Sequence, residues 1–255
     1  MRLHPKILTA CSIAAVLSAT AMPLPAAALD ETQKQEIGAF IKEYLIANPE
    51  IMLDVQDALQ RKQAEMRARV AEKAVVENKD AIFTSEHNII LGNPEGDVTV
   101  VEFFDYNCGY CKHALADMDA IIAKDKNVRF VLKEFPILGP ESLAAHKVSD
   151  AFQKLAPAKY GDFHRALLGA EGRATEESAI AVASSLGVSE ADIRKKMADD
   201  PNDASVKEAY QLANSLGITG TPSYVLGSEA IFGAVGAESI QQKVANIRSC
   251  GKTDC

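Results

Sequence analysis

The sequence predicts an α/β fold: a small sheet interrupted by a block of helices and preceded by an N-terminal helical segment. Three observations predict it. Two strongly apolar runs, Val98 to Asp105 and Val128 to Phe135, flank a stretch with helical spacing, which is the pattern of a parallel βαβ unit. Residues 141 to about 216 then carry helical patterning without a strand signal, before two short apolar runs close the sheet as a hairpin. Residues 30 to 80 also lack any strand signal.

The elements follow in order. Arg2 and Lys6 precede an apolar stretch from Ile7 to about Ala19 and a small-residue exit at Ala26-Ala27-Ala28, so residues 1–28 read as a cleaved secretory signal. A membrane anchor would need roughly 20 apolar residues, more than this run supplies before Pro23 and Pro25. Leu8-Thr9-Ala10-Cys11 has the form of a lipidation box, but most of the apolar core follows Cys11 instead of preceding it. Residues 29–80 form the helical segment, a first helix over Glu31 to Ala47 and a second starting at Pro49 behind Asn48. The second carries Met52, Val55, Leu59, Met66 and Val70 on an imperfect stripe amid many charges. That stripe suits either packing on its own domain or pairing with copies of itself, and this segment is expected to add nothing to the core of the domain that follows.

Residues 81–255 form that domain. A strand at Asn88 to Leu91 and a turn at Gly92 to Asp97 lead into the Val98 to Asp105 strand. The next helix repeats Ala114, Leu115, Met118, Ile121 and Ile122 at helical spacing. The helical insertion occupies about 140–216, punctuated by Pro157, Gly169, Gly187, Pro201 and Gly217. Ser223 to Leu226 and Ala230 to Val235 form the hairpin across Gly227-Ser228-Glu229, and a last helix covers about Ala237 to Arg248.

The chain has 255 residues and a net charge of −8, which becomes −10 if Arg2 and Lys6 leave with the signal. That acidity argues against a nucleic-acid partner. Export places the remaining Cys108, Cys111, Cys250 and Cys255 where disulfides persist.

Cys108-Gly109-Tyr110-Cys111 stands at a strand-to-helix junction, where free helix N–H groups and the helix dipole stabilise a thiolate. Two intervening residues let the sulfurs meet across one turn. Cys108, first on the helix and toward solvent, is the expected attacking thiolate, with Cys111 a turn deeper as the resolving thiol. The same spacing supplies half of a structural zinc site, but the other cysteines form a separate pair and the five histidines show no metal-ligand spacing among themselves. His113 keeps a soft-metal alternative open, copper(I) on Cys108, Cys111 and His113. No metal or cofactor is expected beyond the redox pair itself.

Glu102 interrupts an apolar strand that leads to Cys108, so it is either a buried acid that exchanges protons with Cys111 or a solvent-facing residue of a one-sided strand. Lys133 is its candidate partner or else a surface lysine. Thr221-Pro222 follows a glycine-rich turn and enters a strand. By base rate such a bond is trans in about 95 of 100 cases. Cys250 and Cys255 enclose a loop turned by Gly251 and read as a structural clip, since neither starts a helix.

On these residues the chain resembles the DsbA-like branch of the thioredoxin superfamily over roughly 82–250. The resemblance rests on Val101-Glu-Phe-Phe-Asp-Tyr-Asn-Cys-Gly-Tyr-Cys-Lys112, Lys133-Glu-Phe-Pro136, the helical insertion and Gly217-Ile-Thr-Gly-Thr-Pro222. It implies a thioredoxin-like fold with an inserted helical domain, Pro222 in cis, Cys108 as nucleophile, Cys111 as resolving thiol and Glu102 as the buried acid. The N-terminal segment is similar to that of the suppressor-of-copper-sensitivity (ScsC) group, some of whose members are trimers through it. Gly109-Tyr110 and Thr221 resemble the disulfide isomerases DsbC and DsbG more than DsbA, which usually carries Pro-His and Val. The resemblance therefore implies a periplasmic thiol–disulfide isomerase or reductase. Its substrates would be cysteine-containing exported proteins and its electron donor a membrane thiol reductase of the ScsB or DsbD type. A DsbA-type oxidase served by a DsbB-like membrane protein is the alternative.

Overall fold

The computed structural model describes residues 29–201 and 203–255. The expected signal at 1–28, with Cys11, lies outside them. The described residues divide into two compact units, one ending at residue 57 and the other covering 58–255.

In the first unit, α1 (Glu31–Ala47) begins at a capping box: Asp30 accepts from the Gln33 N–H at 2.8 Å, and the Gln33 side chain accepts from the Asp30 N–H at 3.1 Å. Asn48 ends this helix instead of starting the next, its backbone and side-chain N–H groups both donating to the Tyr44 carbonyl. No residue of α1 is buried. Ile37, Phe40, Ile41 and Tyr44, spaced i, i+3, i+4, i+7, form an exposed apolar stripe on which Phe40 and Tyr44 stack.

Helix α2 (Glu50–Glu77) runs across the boundary into the second unit. Its last turns correct the sequence expectation. Ala71, Ala74 and Val75 are buried in the core of the second unit, whereas Met66 and Val70 from the anticipated stripe are exposed. The buried positions share one face, at i, i+3 and i+4, and the long apolar side chains on the next face are left outside. The short α3 (Lys79–Phe83) follows and buries Ile82.

The sheet has five strands, β1 (Ile89–Gly92), β2 (Val98–Phe104), β3 (Val128–Glu134), β4 (Ser223–Leu226) and β5 (Glu229–Phe232), in the order β1-β3-β2-β4-β5. β2 and β3 are parallel, joined by α4 (Gly109–Lys124); the other pairings are antiparallel. Strand alternation divides the side chains between two cores. Val98, Val100, Phe104, Phe130, Leu132, Tyr224 and Leu226 face α4, and with them pack the insertion helices α5 (Pro140–Leu155), α6 (Tyr160–Leu168), α7 (Glu176–Ser185) and α8 (Glu190–Asp199). Val101, Phe103, Val131 and Val225 face the other way, toward the end of α2, α3 and α9 (Asp203–Leu216). The stretch expected as one helical block is thus split: α9 contributes Leu212, Ala213 and Leu216 to the opposite side of the sheet from α5 to α8.

The hairpin turns at Gly227-Ser228, with Gly227 at φ +56°. The closing helix, α10 (Gly236–Cys250), lies against α4 and ends at Gly251, whose φ of +77° is the left-handed cap that glycine adopts without strain. Arg248 on α10 holds Asp97 before β2 and Asp125 after α4, at 2.6 and 2.5 Å.

Candidate active site

β2 ends at Phe104, and Asp105, Tyr106 and Asn107 carry the chain to Cys108, the N-cap residue of α4. The Cys108 N–H donates to the Asp105 carbonyl at 3.0 Å, closing the turn. The thiols of Cys108 and Cys111 are both free. Cys111, in the first turn of the helix, is wholly buried and Tyr110 is 70% exposed. Cys108 was expected toward solvent, yet it retains only 6% exposure. Thr221 lies against it: the Cys108 thiol donates to the Thr221 carbonyl at 3.1 Å, and Thr221-Pro222 is cis.

The two sulfurs differ sharply in acidity. Hydrogen bonding from the Cys111 thiol, then from the Thr221 side chain and the N–H groups of Cys111 and Tyr110, lowers the Cys108 pKa to about 5 against the opposing effect of burial. Cys111 moves strongly upward, through burial first, then the hydrogen bond it gives to Cys108 and the charges of Cys108 and Glu102. One thiol is therefore ready to attack and the other is held protonated.

Glu102 is buried on the α4 side of β2, opposite Leu132 and Tyr224 in the register. Burial, with the charges of Asp117 and Cys108, raises its pKa to about 8. The solvent-facing alternative is thereby removed. Tyr224 beside it is likewise pushed up, by burial and then by the Glu102 charge. Lys133 is neither Glu102's partner nor a surface residue: it is buried and donates to Glu208 at 2.5 Å and to the Ala81 carbonyl at 2.7 Å. It pairs in register with Phe103, so strand alternation sends it to the opposite face from Glu102.

His113 is exposed, with Nδ1 2.9 Å from the Gly109 carbonyl oxygen. Among the described residues no group of three or more His, Cys, Asp or Glu side chains is arranged to hold a metal ion, so Cys108, Cys111 and His113 do not form one. Cys250 and Cys255 are joined in a disulfide with Cα atoms 6.4 Å apart.

A buried polar network was missed in the sequence. Glu134 accepts from Ser149 at 2.5 Å and from Tyr160 at 3.3 Å, and its other oxygen lies 3.3 Å from His146 Nδ1. The Tyr106 hydroxyl joins Ser149 and Tyr160 at 2.9 and 3.0 Å. The signal was available: Glu134 stands on β3 at the same alternation as Glu102 on β2, facing the same core.

Comparison with known proteins settles the family. A family model described as the DSBA-like thioredoxin domain matches residues 99–245. The chain belongs to the DsbA-like thioredoxin family. A second model, the copper resistance protein ScsC N-terminal domain, matches residues 33–65. Among solved structures, a thioredoxin-like oxidoreductase from Silicibacter pomeroyi DSS-3 is 38% identical, covering 68% of this chain and 99% of that one at a TM-score of 0.65. The thiol-disulfide exchange protein alpha-DsbA2 from Wolbachia pipientis is 29% identical, with 70% and 96% covered and a TM-score of 0.66. Proteus mirabilis ScsC in a transitional conformation is 25% identical, with 84% and 94% covered and a TM-score of 0.55. Among curated proteins, 62% of this DsbA-like chain matches the Na(+)/H(+) antiporter NhaA 1 of Salinispora arenicola at 22% identity, and the matched part spans 24% of that antiporter's length. Among the described residues no helix is long and apolar enough to cross a membrane.

Proposed function

We propose that this protein is a periplasmic thiol–disulfide oxidoreductase acting on cysteines of exported proteins, with disulfide isomerisation or reduction as its leading activity. The observation that carries the reading is the contrast between the two thiols of one helical turn, Cys108 at a pKa of about 5 and Cys111 driven upward. At neutral pH Cys108 is a thiolate. It attacks one sulfur of a substrate disulfide, the S–S bond breaks, and a substrate thiolate leaves as the mixed disulfide forms.

Forming that bond removes the charge on Cys108. One cause of the raised Glu102 pKa then disappears, as does the hydrogen bond that held the Cys111 proton. Glu102 ionises more readily and can accept the Cys111 proton, directly or through water. The Cys111 thiolate then displaces the substrate as a second thiolate, leaving Cys108–Cys111 oxidised and the substrate reduced by two electrons. In isomerisation a substrate thiolate attacks the mixed disulfide instead, and no net electrons move.

The direction is supported by Gly109-Tyr110 and Thr221, which resemble the isomerases, and by the ScsC-type match at 33–65. A reductase or isomerase needs its cysteines reduced, so a membrane thiol reductase of the ScsB or DsbD type is the proposed electron donor. Residues 29–80 are proposed to assemble a homotrimer through the exposed stripe of α1. The rival dithiol oxidase, recharged by a DsbB-like protein, has one observation in its favour: a stabilised Cys108 thiolate makes the reduced form stable and the disulfide oxidising.

Alkylation trapping of periplasmic extract separates the two. Cys108 and Cys111 found mainly reduced, with reactivation of scrambled ribonuclease by the purified protein, supports the isomerase. A wholly oxidised pool assigns the protein to the oxidase reading. Tight copper(I) binding without ribonuclease reactivation would assign it to metal handling.

A further inference from the structure

The three residues before Cys108 are each committed to the helical insertion. Asp105 Oδ2 accepts from the N–H groups of Ile137 and Leu138, at 2.8 and 2.9 Å, where the insertion begins. Tyr106 enters the Glu134, Ser149 and Tyr160 network. Asn107 does the most with a single side chain. Its Oδ1 accepts from the Ala174 N–H at 2.7 Å, and its Nδ2 donates to the Ala174 carbonyl at 2.9 Å and the Ser142 hydroxyl at 3.0 Å. An amide thus pairs with both backbone groups of one residue in the loop between α6 and α7, and with the first turn of α5. On the other side of the motif, Lys112 donates to the Ala170 and Gly172 carbonyls of the same loop at 2.6 and 3.0 Å. The motif Cys108 to Cys111 is therefore bracketed by two side chains that grip residues 170–174.

We propose that Asn107 is a positioning residue for thiol–disulfide exchange: by clamping the 170–174 loop and α5 to the turn before α4, it fixes Cys108 where the helix N–H groups can hold its thiolate. The inference rests on Cys108 being the nucleophile. Asn107 itself touches neither sulfur through a hydrogen bond; its amide bonds go to the insertion, and only its backbone is continuous with Cys108. Without the clamp only the Asp105, Tyr106 and Lys112 bonds hold the motif, and the hydrogen bonds from the Tyr110 and Cys111 N–H groups lose alignment.

The test is the pH profile of Cys108 alkylation in the full-length reduced protein, read by mass spectrometry, for the wild type, Asn107→Ala and Ser142→Ala. The expected wild-type midpoint is about 5. Asn107→Ala is expected to move it upward by about one unit, about a tenfold loss of thiolate at pH values below both midpoints. Ser142→Ala, which removes one of the three bonds, moves it the same way by less. Far-UV circular dichroism confirms that each variant is folded. A wild-type midpoint near 5 with a folded Asn107→Ala protein that titrates identically overturns the proposal; should Asn107→Ala not fold, an unmoved midpoint in Ser142→Ala overturns it. A wild-type midpoint near the ordinary thiol value overturns the reading of Cys108 as the nucleophile, and the proposal with it.

Discussion

At the scale of single residues, the proposed chemistry depends on two groups whose acidities move in opposite directions. Cys108 is lowered to about 5, so it contributes stability at high pH that is lost as pH falls through that value. Glu102 is raised to about 8, so its contribution is present at low pH and is lost as pH rises toward and through 8. Oxidation to the Cys108–Cys111 disulfide deletes the first and, by removing the Cys108 charge, takes away only the smallest of the three causes of the second. The reduced protein should therefore gain stability over the oxidised one as pH climbs from about 5 toward 9, which thermal melts of both forms at several pH values will measure. Equal melting differences at pH 4.5 and 7.5 would contradict the assignment. Glu102→Gln, which cannot ionise, should slow release of a trapped mixed disulfide by about 10- to 100-fold while leaving the first attack nearly unchanged. Rapid-quench trapping of the intermediate checks it. Glu102 was legible because a carboxylate in an apolar strand must be either buried or on a wet face. The alternation that decides between them also disposes of Lys133, since residues opposite Phe103 cannot face the α4 side.

At the scale of elements, helix α2 teaches how a stripe can mislead. The large apolar side chains suit packing or self-pairing equally by pattern, yet the buried contacts fall on Ala71, Ala74 and Val75, outside that stripe. Ala71→Leu should overpack this seam at a cost of about 1–3 kcal/mol, whereas Val70→Ser on the exposed neighbouring face should change stability by less than about 0.5 kcal/mol. Urea unfolding of the two variants tests the assignment, and reversed magnitudes would refute it. The ends of α10 obey simpler rules. Removing the Cys250–Cys255 clip, which closes a six-residue loop, should cost no more than about 2 kcal/mol. Exchange activity should survive in Cys250→Ser/Cys255→Ser, a result that separates a clip from a second redox centre. Helix α9 was not separable from the insertion by pattern, because an amphipathic stripe records that one face is buried and not against which side of a sheet.

At the scale of the whole chain, the strand order and the split between two cores were only partly visible. A βαβ unit fixed β2 and β3 as parallel neighbours and the hairpin fixed β4 and β5, but placing β1 beside β3 needs long-range pairing that no local signal carries. The N-terminal unit shows the reverse case. Its helix ends were legible to the residue in α1, while the exposure of Ile37, Phe40, Ile41 and Tyr44 is a fact of the structure that an amphipathic pattern does not carry. Size-exclusion chromatography with light scattering should give an oligomer for the full chain, most simply a trimer, and a monomer for the chain carrying Phe40→Asp and Ile41→Asp. A monomeric full-length protein would remove the assembly from the proposed function.

The alternation of β2 and β3 has a further effect on how charge is compartmented. On one side of the sheet lies a site whose charge changes each time a disulfide is made or broken; on the other lies the fixed pair of Lys133 and Glu208. The causes that shift Lys133 are burial and Glu208 alone, and neither of that pair is among the groups that shift Cys108 or Glu102. The change of charge in the proposed redox cycle is thus answered by Glu102 and Tyr224 on the thiol side of the sheet, while the pair that ties α9 to β3 is set by its own two members.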